Sequence, residues 1–240
     1  MVLGLVLGFI ASAWVFVAAR DHTLAGALPH VRLEQLSAAR PPADGPRRRA
    51  AVLVLFGQDD VTGGPDLLLI ERAATMRSHA GQPAFPGGAV DPGDDGPVAA
   101  ALREAQEEVG LEPATVHVLG TLPDLWLPPS GFVVTPVVGW WREPHPVRVV
   151  DAAEVAAVAR VPLSRLTDPE HRVRVRHPSG WVGPAFDTGG MLVWGFTAGV
   201  LDALLRLGGW ERPWDRGRTR ALDPAVLALA GHVPPDPPAA

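Results

Sequence analysis

Three glutamates on one short stretch, Glu104, Glu107 and Glu108, are the residues whose type and spacing most directly suggest chemistry. Within Val98–Val109, the apolar Val98, Leu102, Ala105 and Val109 recur at intervals of four, three and four, which stacks them in one stripe of a helix. The glutamates follow the same three/four rule on another side. Neighbouring like charges weaken an isolated helix, and the ordinary outcome of such a run is a solvated acidic face. A divalent cation converts the repulsion into binding, and the glycine-rich turn ahead of the helix can bring backbone oxygens alongside. Hard ions such as Mg²⁺ take oxygen ligands and keep positions open for phosphate. The chain has no cysteine, so disulfides and thiolate chemistry are excluded, and carboxylate, imidazole and backbone oxygen are the metal donors on offer.

These residues need a frame. Ala51–Phe56 and Asp66–Ile70 are short apolar runs separated by an Asp-, Gly- and Pro-containing segment, and they predict two buried strands joined as a hairpin. Helical patterning begins after Asp94-Asp95-Gly96-Pro97, where an Asp cap and a Pro in the first turn supply a start signal. Val116–Thr121, Phe132–Trp140 and His171–His177 predict further strands, and Leu192–Leu207 a second helix closed by Gly208-Gly209. Strands interleaved with two helices predict an α+β fold with helices covering a mixed sheet. Arg40–Arg49 is rich in Pro and charge without apolar periodicity, so residues 21–49 read as a linker. Residues 50–230 then form one catalytic domain, and 231–240 a Pro-rich disordered tail.

Gly88–Leu111 reads GAVDPGDDGPVAAALREAQEEVGL. This resembles the signature of the Nudix hydrolases: a Gly, an acidic residue further on, then Arg-Glu-aliphatic-x-Glu-Glu-x-Gly-aliphatic. Arg103, Glu104, Ala105, Glu107, Glu108, Gly110 and Leu111 fit its second half. In the first half Asp94 or Asp95 stands for the usual Glu, and the spacing from Gly to Arg is one residue longer. A motif this long, in a loop-then-helix context, is specific. The resemblance implies a Nudix-type α/β/α sandwich built on a mixed β-sheet. It also implies Glu104, Glu107 and Glu108 as ligands of Mg²⁺ or Mn²⁺, joined by the carbonyl oxygen of Gly88. Arg103 would hold the catalytic loop by pairing with a helix carboxylate. Glu104 is one candidate for the general base; Glu154, in DAAEV after a strand, is the other.

Upstream, Leu67–Gly88 reads LLLIERAATMRSHAGQPAFPGG. It is similar to the extended signature of the coenzyme A pyrophosphatase branch. Leu68, Leu69, Arg72, Arg77, Gly81, Phe85, Pro86, Gly87 and Gly88 fit, whereas Ile70 and Ala73 replace a Thr and a Ser. Pro129–Gly131 and Met191–Thr197 also resemble this branch, so the likeness runs from Ala51 to Asp215. It implies cleavage of the coenzyme A diphosphate to 4′-phosphopantetheine and adenosine 3′,5′-bisphosphate, with Arg72 and Arg77 binding substrate phosphates as arginine's forked donors allow. The missing hydroxyls leave room for ADP-ribose or a dinucleotide instead. A non-catalytic, nucleotide-sensing Nudix module is the other reading, and it predicts an eroded glutamate cluster. His79 reads as a hydrogen-bonded loop residue, Ser130 as a turn residue, and Trp210–Trp214 as packing.

The net charge of −5 gives no reason to expect a nucleic-acid partner, and the sequence does not fix the oligomeric state. Val2–Ala19 is a run of 18 residues without charge, at the short limit for a membrane span. No Lys or Arg precedes it and arginines follow, so as an anchor it would leave the rest of the chain cytoplasmic. A buried N-terminal extension is the alternative, and fractionation of the full chain against one starting at Arg20 separates the two.

Overall fold

Side-chain alternation along two central strands decides the architecture. The computed structural model describes residues 25–36, 48–59, 63–76, 79–128 and 130–229. Its β1 (Arg48–Gln58) and β2 (Pro65–Arg72) are buried along both faces. Leu53, Leu55, Leu68 and Ile70 face one layer, whereas Val54, Phe56, Leu67 and Leu69 face the other. Strands apolar on both sides need cover on both sides.

Along the chain follow β3 (Pro83–Ala84), β4 (Gly87–Ala89), α1 (Gly96–Val109), β5 (Val116–Thr121), β6 (Leu125–Leu127), β7 (Phe132–Trp141) and β8 (Val155–Pro162). After the short α2 (Leu163–Leu166) come β9 (Arg172–Arg176), β10 (Val182–Asp187), β11 (Leu192–Val193), α3 (Gly195–Leu207), β12 (Thr219–Ala221) and α4 (Pro224–Leu229). The main sheet runs β3-β2-β1-β7-β5, with β8 on β2, β4 on β1 and β6 on β7. It is mixed: β1 and β7 are parallel, and β2, β4 and β5 pair antiparallel. α1 lays Ala100, Ala101, Ala105 and Val109 on one face, and α3 lays Val200, Leu201, Leu204 and Leu205 on the other. The fold is therefore the expected α/β/α sandwich on a mixed sheet. A second sheet, β11-β10-β9-β12, has its own small core of Val173, Val175, Ala185, Leu222 and Leu227.

Three local expectations change. Asp95 occupies the N-cap of α1 but makes no side-chain capping bond, because the neighbouring Asp94 is the acid drawn into contacts, and they lie elsewhere. Leu192–Val193 is extended, held by pairing of Val193 with Phe186, so the second long helix starts only at Gly195. Part of the span read as linker is packed: Leu28 and Val31 are buried in the α3-side core. Gly110 does stop α1, in a left-handed conformation with its N–H on the Gln106 carbonyl at 2.9 Å. Among the described residues no helix is long and apolar enough to cross a membrane; Val2–Ala19 and the tail from 231 lie outside them.

Candidate active site

Helix α1 and strand β4 meet at the glutamates. Glu108 is buried, and the N–H of Gly87 donates to its Oε2 at 2.9 Å. Its Oε1 is buried without a hydrogen-bond partner. Burial pushes the carboxyl up to about 8; the Gly87 N–H and the charge of Arg72 act against this, and Glu104 and Glu154 add to it. One turn earlier the Glu104 carboxylate rests on Gly88, where a Cβ would lie 2.5 Å from it. Desolvation raises the Glu104 carboxyl as well, with Arg103 opposing.

Glu107 departs from the expected arrangement. With 3.6 residues per turn it lies about 100° round the helix from Glu108. It therefore turns outward and accepts from Arg103 Nη1 at 2.8 Å. Among the described residues, no three acidic or histidine side chains gather as a ready-made ion cage. Two carboxylates line the glycines of β4, and the third sits beside them on an arginine.

Arg103 is the hub of the loop. Its Nε and Nη2 donate to the two oxygens of Asp94 at 2.9 and 3.0 Å, and Nη2 also reaches the Ala89 carbonyl at 3.1 Å. Nη1 lies 3.2 Å from Glu104. Of the two acids left open by the sequence, Asp94 is the one that Arg103 grips. That fork holds the Asp94 carboxyl below its usual range. Paired across the loop from Ala89 to Asp94, the guanidinium fixes backbone as well as charge.

The strand ends bring two more predicted residues to the same place. Arg72 closes β2; its backbone N–H donates to the Gln82 carbonyl at 3.1 Å, and its side-chain Nε is buried without a partner. Glu154 lies in the turn before β8, its carbonyl accepting from the Ala73 N–H at 2.8 Å. Its charge bears on both Glu104 and Glu108. Arg77 lies outside the described residues. His79 bonds through Nδ1 to Gln82 Oε1 at 3.0 Å, and Ser130 Oγ donates to the Leu127 carbonyl at 3.3 Å within its turn. Trp210 packs on Phe56 and Trp214 against the Arg172 guanidinium, so both serve packing.

The family model described as the NUDIX domain matches residues 46–182. The chain belongs to the Nudix family. It is 44% identical over 174 residues to an uncharacterised Nudix hydrolase, NudL, of Cronobacter sakazakii, covering 70% of this chain and 85% of that protein. To the NudL of Citrobacter koseri it is 40% identical over 188 residues, covering 72% and 90%. Among solved structures it is similar to RenU, a Nudix hydrolase of M. smegmatis, at a TM-score of 0.49 and 21% identity, over 71% of this chain and 91% of that one. The match and these relatives place the chain among the Nudix hydrolases.

Nudix hydrolases generally use divalent metals such as Mg²⁺ or Mn²⁺, and the residues here fit such an ion. Glu108 offers a buried oxygen that no protein donor satisfies. Gly88, having no side chain, lets the Glu104 carboxylate lie against the backbone of β4, where a Cβ would push it out. All the donors are hard oxygens. The bond from Gly87 to Glu108 is the part of the site that motif reading did not supply, since sequence spacing does not show which strand lies against a helix.

Proposed function

We propose that the chain cleaves the diphosphate of coenzyme A, or of its derivatives, giving 4′-phosphopantetheine and adenosine 3′,5′-bisphosphate. One observation carries this reading. The stretch that resembles the coenzyme A pyrophosphatase signature ends in Gly87 and Gly88, and those glycines touch Glu108 and Glu104. The two replaced hydroxyls do not weigh against it: Ile70 and Ala73 are both buried, at 0% and 5% exposure, where a side chain packs rather than meets substrate.

Glu104, Glu107, Glu108 and the Gly88 carbonyl would hold a divalent ion, which when bound would supply Lewis acidity to the diphosphate and acidify water. Arg72, whose buried Nε has no hydrogen-bond partner and whose charge acts on Glu108, binds phosphate charge, and Arg77 has the residue type to assist. Arg103 keeps the glycine- and aspartate-rich loop in register. A water oxygen forms the new bond to phosphorus while the bridging P–O bond breaks. Glu104 or Glu154 takes the proton, both being carboxylates of this cluster. No covalent enzyme intermediate is required.

The test is to incubate purified protein and Mg²⁺ with coenzyme A, ADP-ribose and a dinucleoside polyphosphate in parallel and weigh the products. Coenzyme A should give the two named fragments with the highest kcat/KM of the panel. Intact coenzyme A alongside turnover of either competitor would overturn the assignment, and turnover of none would favour a sensing module.

A further inference from the structure

We infer that Thr197, beyond the span of the family match, is a positioning residue for the carboxylate site. It stands in the first turn of α3, on the opposite face of the sheet from α1. Its buried hydroxyl donates to the Pro83 carbonyl at 3.1 Å. Helix α3 has no use for that hydroxyl, because its N-cap is Trp194 and makes no side-chain capping bond. Packing alone does not ask for it either, since valine has the same shape.

The acceptor explains the choice. β3 is only two residues long and pairs with β2 at Ile70–Ala84 and Glu71–Pro83. Pro83 is buried and, because Arg72 bonds to Gln82, stands at a non-hydrogen-bonded position of that ladder, so its carbonyl faces away from β2 and needs another donor. The chain on either side of it carries the site. Gln82 accepts the backbone N–H of Arg72 at 3.1 Å. Downstream, the Pro86 carbonyl accepts from Leu53 at 2.8 Å, and Gly87 then donates to Glu108. A buried carbonyl deprived of its donor is costly, so loss of the hydroxyl shifts this segment toward another partner. Thr197 thereby holds Pro83 from behind while Arg72 and Glu108 are arranged in front.

This inference rests on Glu104 and Glu108 being metal carboxylates, and the experiment separates the two claims. Mn²⁺ binding to the full chain is measured by calorimetry without substrate, beside kcat and KM for coenzyme A and the melting temperature. Thr197→Val should weaken Mn²⁺ binding about tenfold, the scale typical of groups that orient metal ligands, and lower kcat with little change in KM. Thr197→Ser, which keeps the hydroxyl, should restore both. Thr197→Ala reads the same quantities if the valine variant does not fold. Wild-type affinity for Mn²⁺ in the valine or alanine variant, with only a lower melting temperature, would overturn the inference, as would a serine variant as impaired as valine. No Mn²⁺ uptake by the wild type would sink the carboxylate reading itself, and this inference with it.

Discussion

Glu108 carries a conflict that one side chain can report. Its carboxyl stands near 8 in the folded protein against 4.5 unfolded, chiefly because burial disfavours the charge. Between those values the native state binds more protons than the unfolded chain, so this group makes stability fall as pH rises from about 5 to 8. The scale is on the order of a few kcal/mol. Glu104 shifts in the same direction. In metal-free buffer the wild type should therefore melt at a lower temperature at pH 8 than at pH 5.5. Glu108→Gln should show a shallower slope, with the remainder due to Glu104. Mg²⁺ should raise the melting temperature more at pH 8, because the ion binds the deprotonated form. Identical slopes for wild type and variant would remove Glu108 as the cause. No comparable shift could be anticipated from the sequence: the motif names Glu108, but its burial depends on which strand lies against it.

At the scale of elements, strand β4 gives two adjacent glycines different duties. A Cβ on Gly87 would lie 2.3 Å from the Ala51 carbonyl and 2.6 Å from Val52 Cα, and its φ of 153° is one that side chains rarely adopt. Both obstacles are backbone. A Cβ on Gly88 meets first the carboxylate end of the Glu104 side chain, which can swing away at small cost to the backbone. Gly87→Ala should thus cost about 2–4 kcal/mol in denaturant unfolding, from overpacking plus strain. Gly88→Ala should fold normally and lose roughly 10- to 100-fold in kcat/KM by displacing the Glu104 carboxylate, if that carboxylate binds the ion as proposed. Equal loss of stability in the two variants would contradict this division. The same elements show what could be read beforehand. α1 was legible because Val98, Leu102, Ala105 and Val109 keep one helical register, and β1 and β2 because they are unbroken apolar runs. β3 and β4 were not, since segments of two and three residues carry no periodicity. β8 escaped because AAVARV mixes alanine and arginine, and its strand state comes from pairing along β2 rather than from propensity. Leu192–Val193 has the apolar look of a helix start, but pairing with β10 overrides it.

Across the whole molecule, the match to the family ends at residue 182, yet one covering layer of the sandwich, α3, comes after it. What fastens this later part is a buried cation. The Arg172 side chain is fully buried on β9, between the rings of Phe186 and Trp214, at 5.0 and 4.5 Å from their centroids. It pairs with Asp202 on α3 and with Glu211 at 3.3 Å, so one guanidinium joins the second sheet, the helix layer and the segment beyond it. Burial lowers its proton affinity and the two carboxylates work against that, which marks the group as desolvated and compensated. Such a cluster is expensive to break from one side and cheap to remove whole, because a single deletion strands the opposite charge. Arg172→Ala should cost about 3 kcal/mol, near the low end since Arg206 still contacts Asp202 at 3.3 Å. In a protein of this size that is a fall of roughly 6–12 °C in melting temperature. Arg172→Met combined with Asp202→Leu should recover most of it. If the single variant melted within a degree of wild type, or the double melted no higher than the single, α3 would have to be held by its apolar face alone.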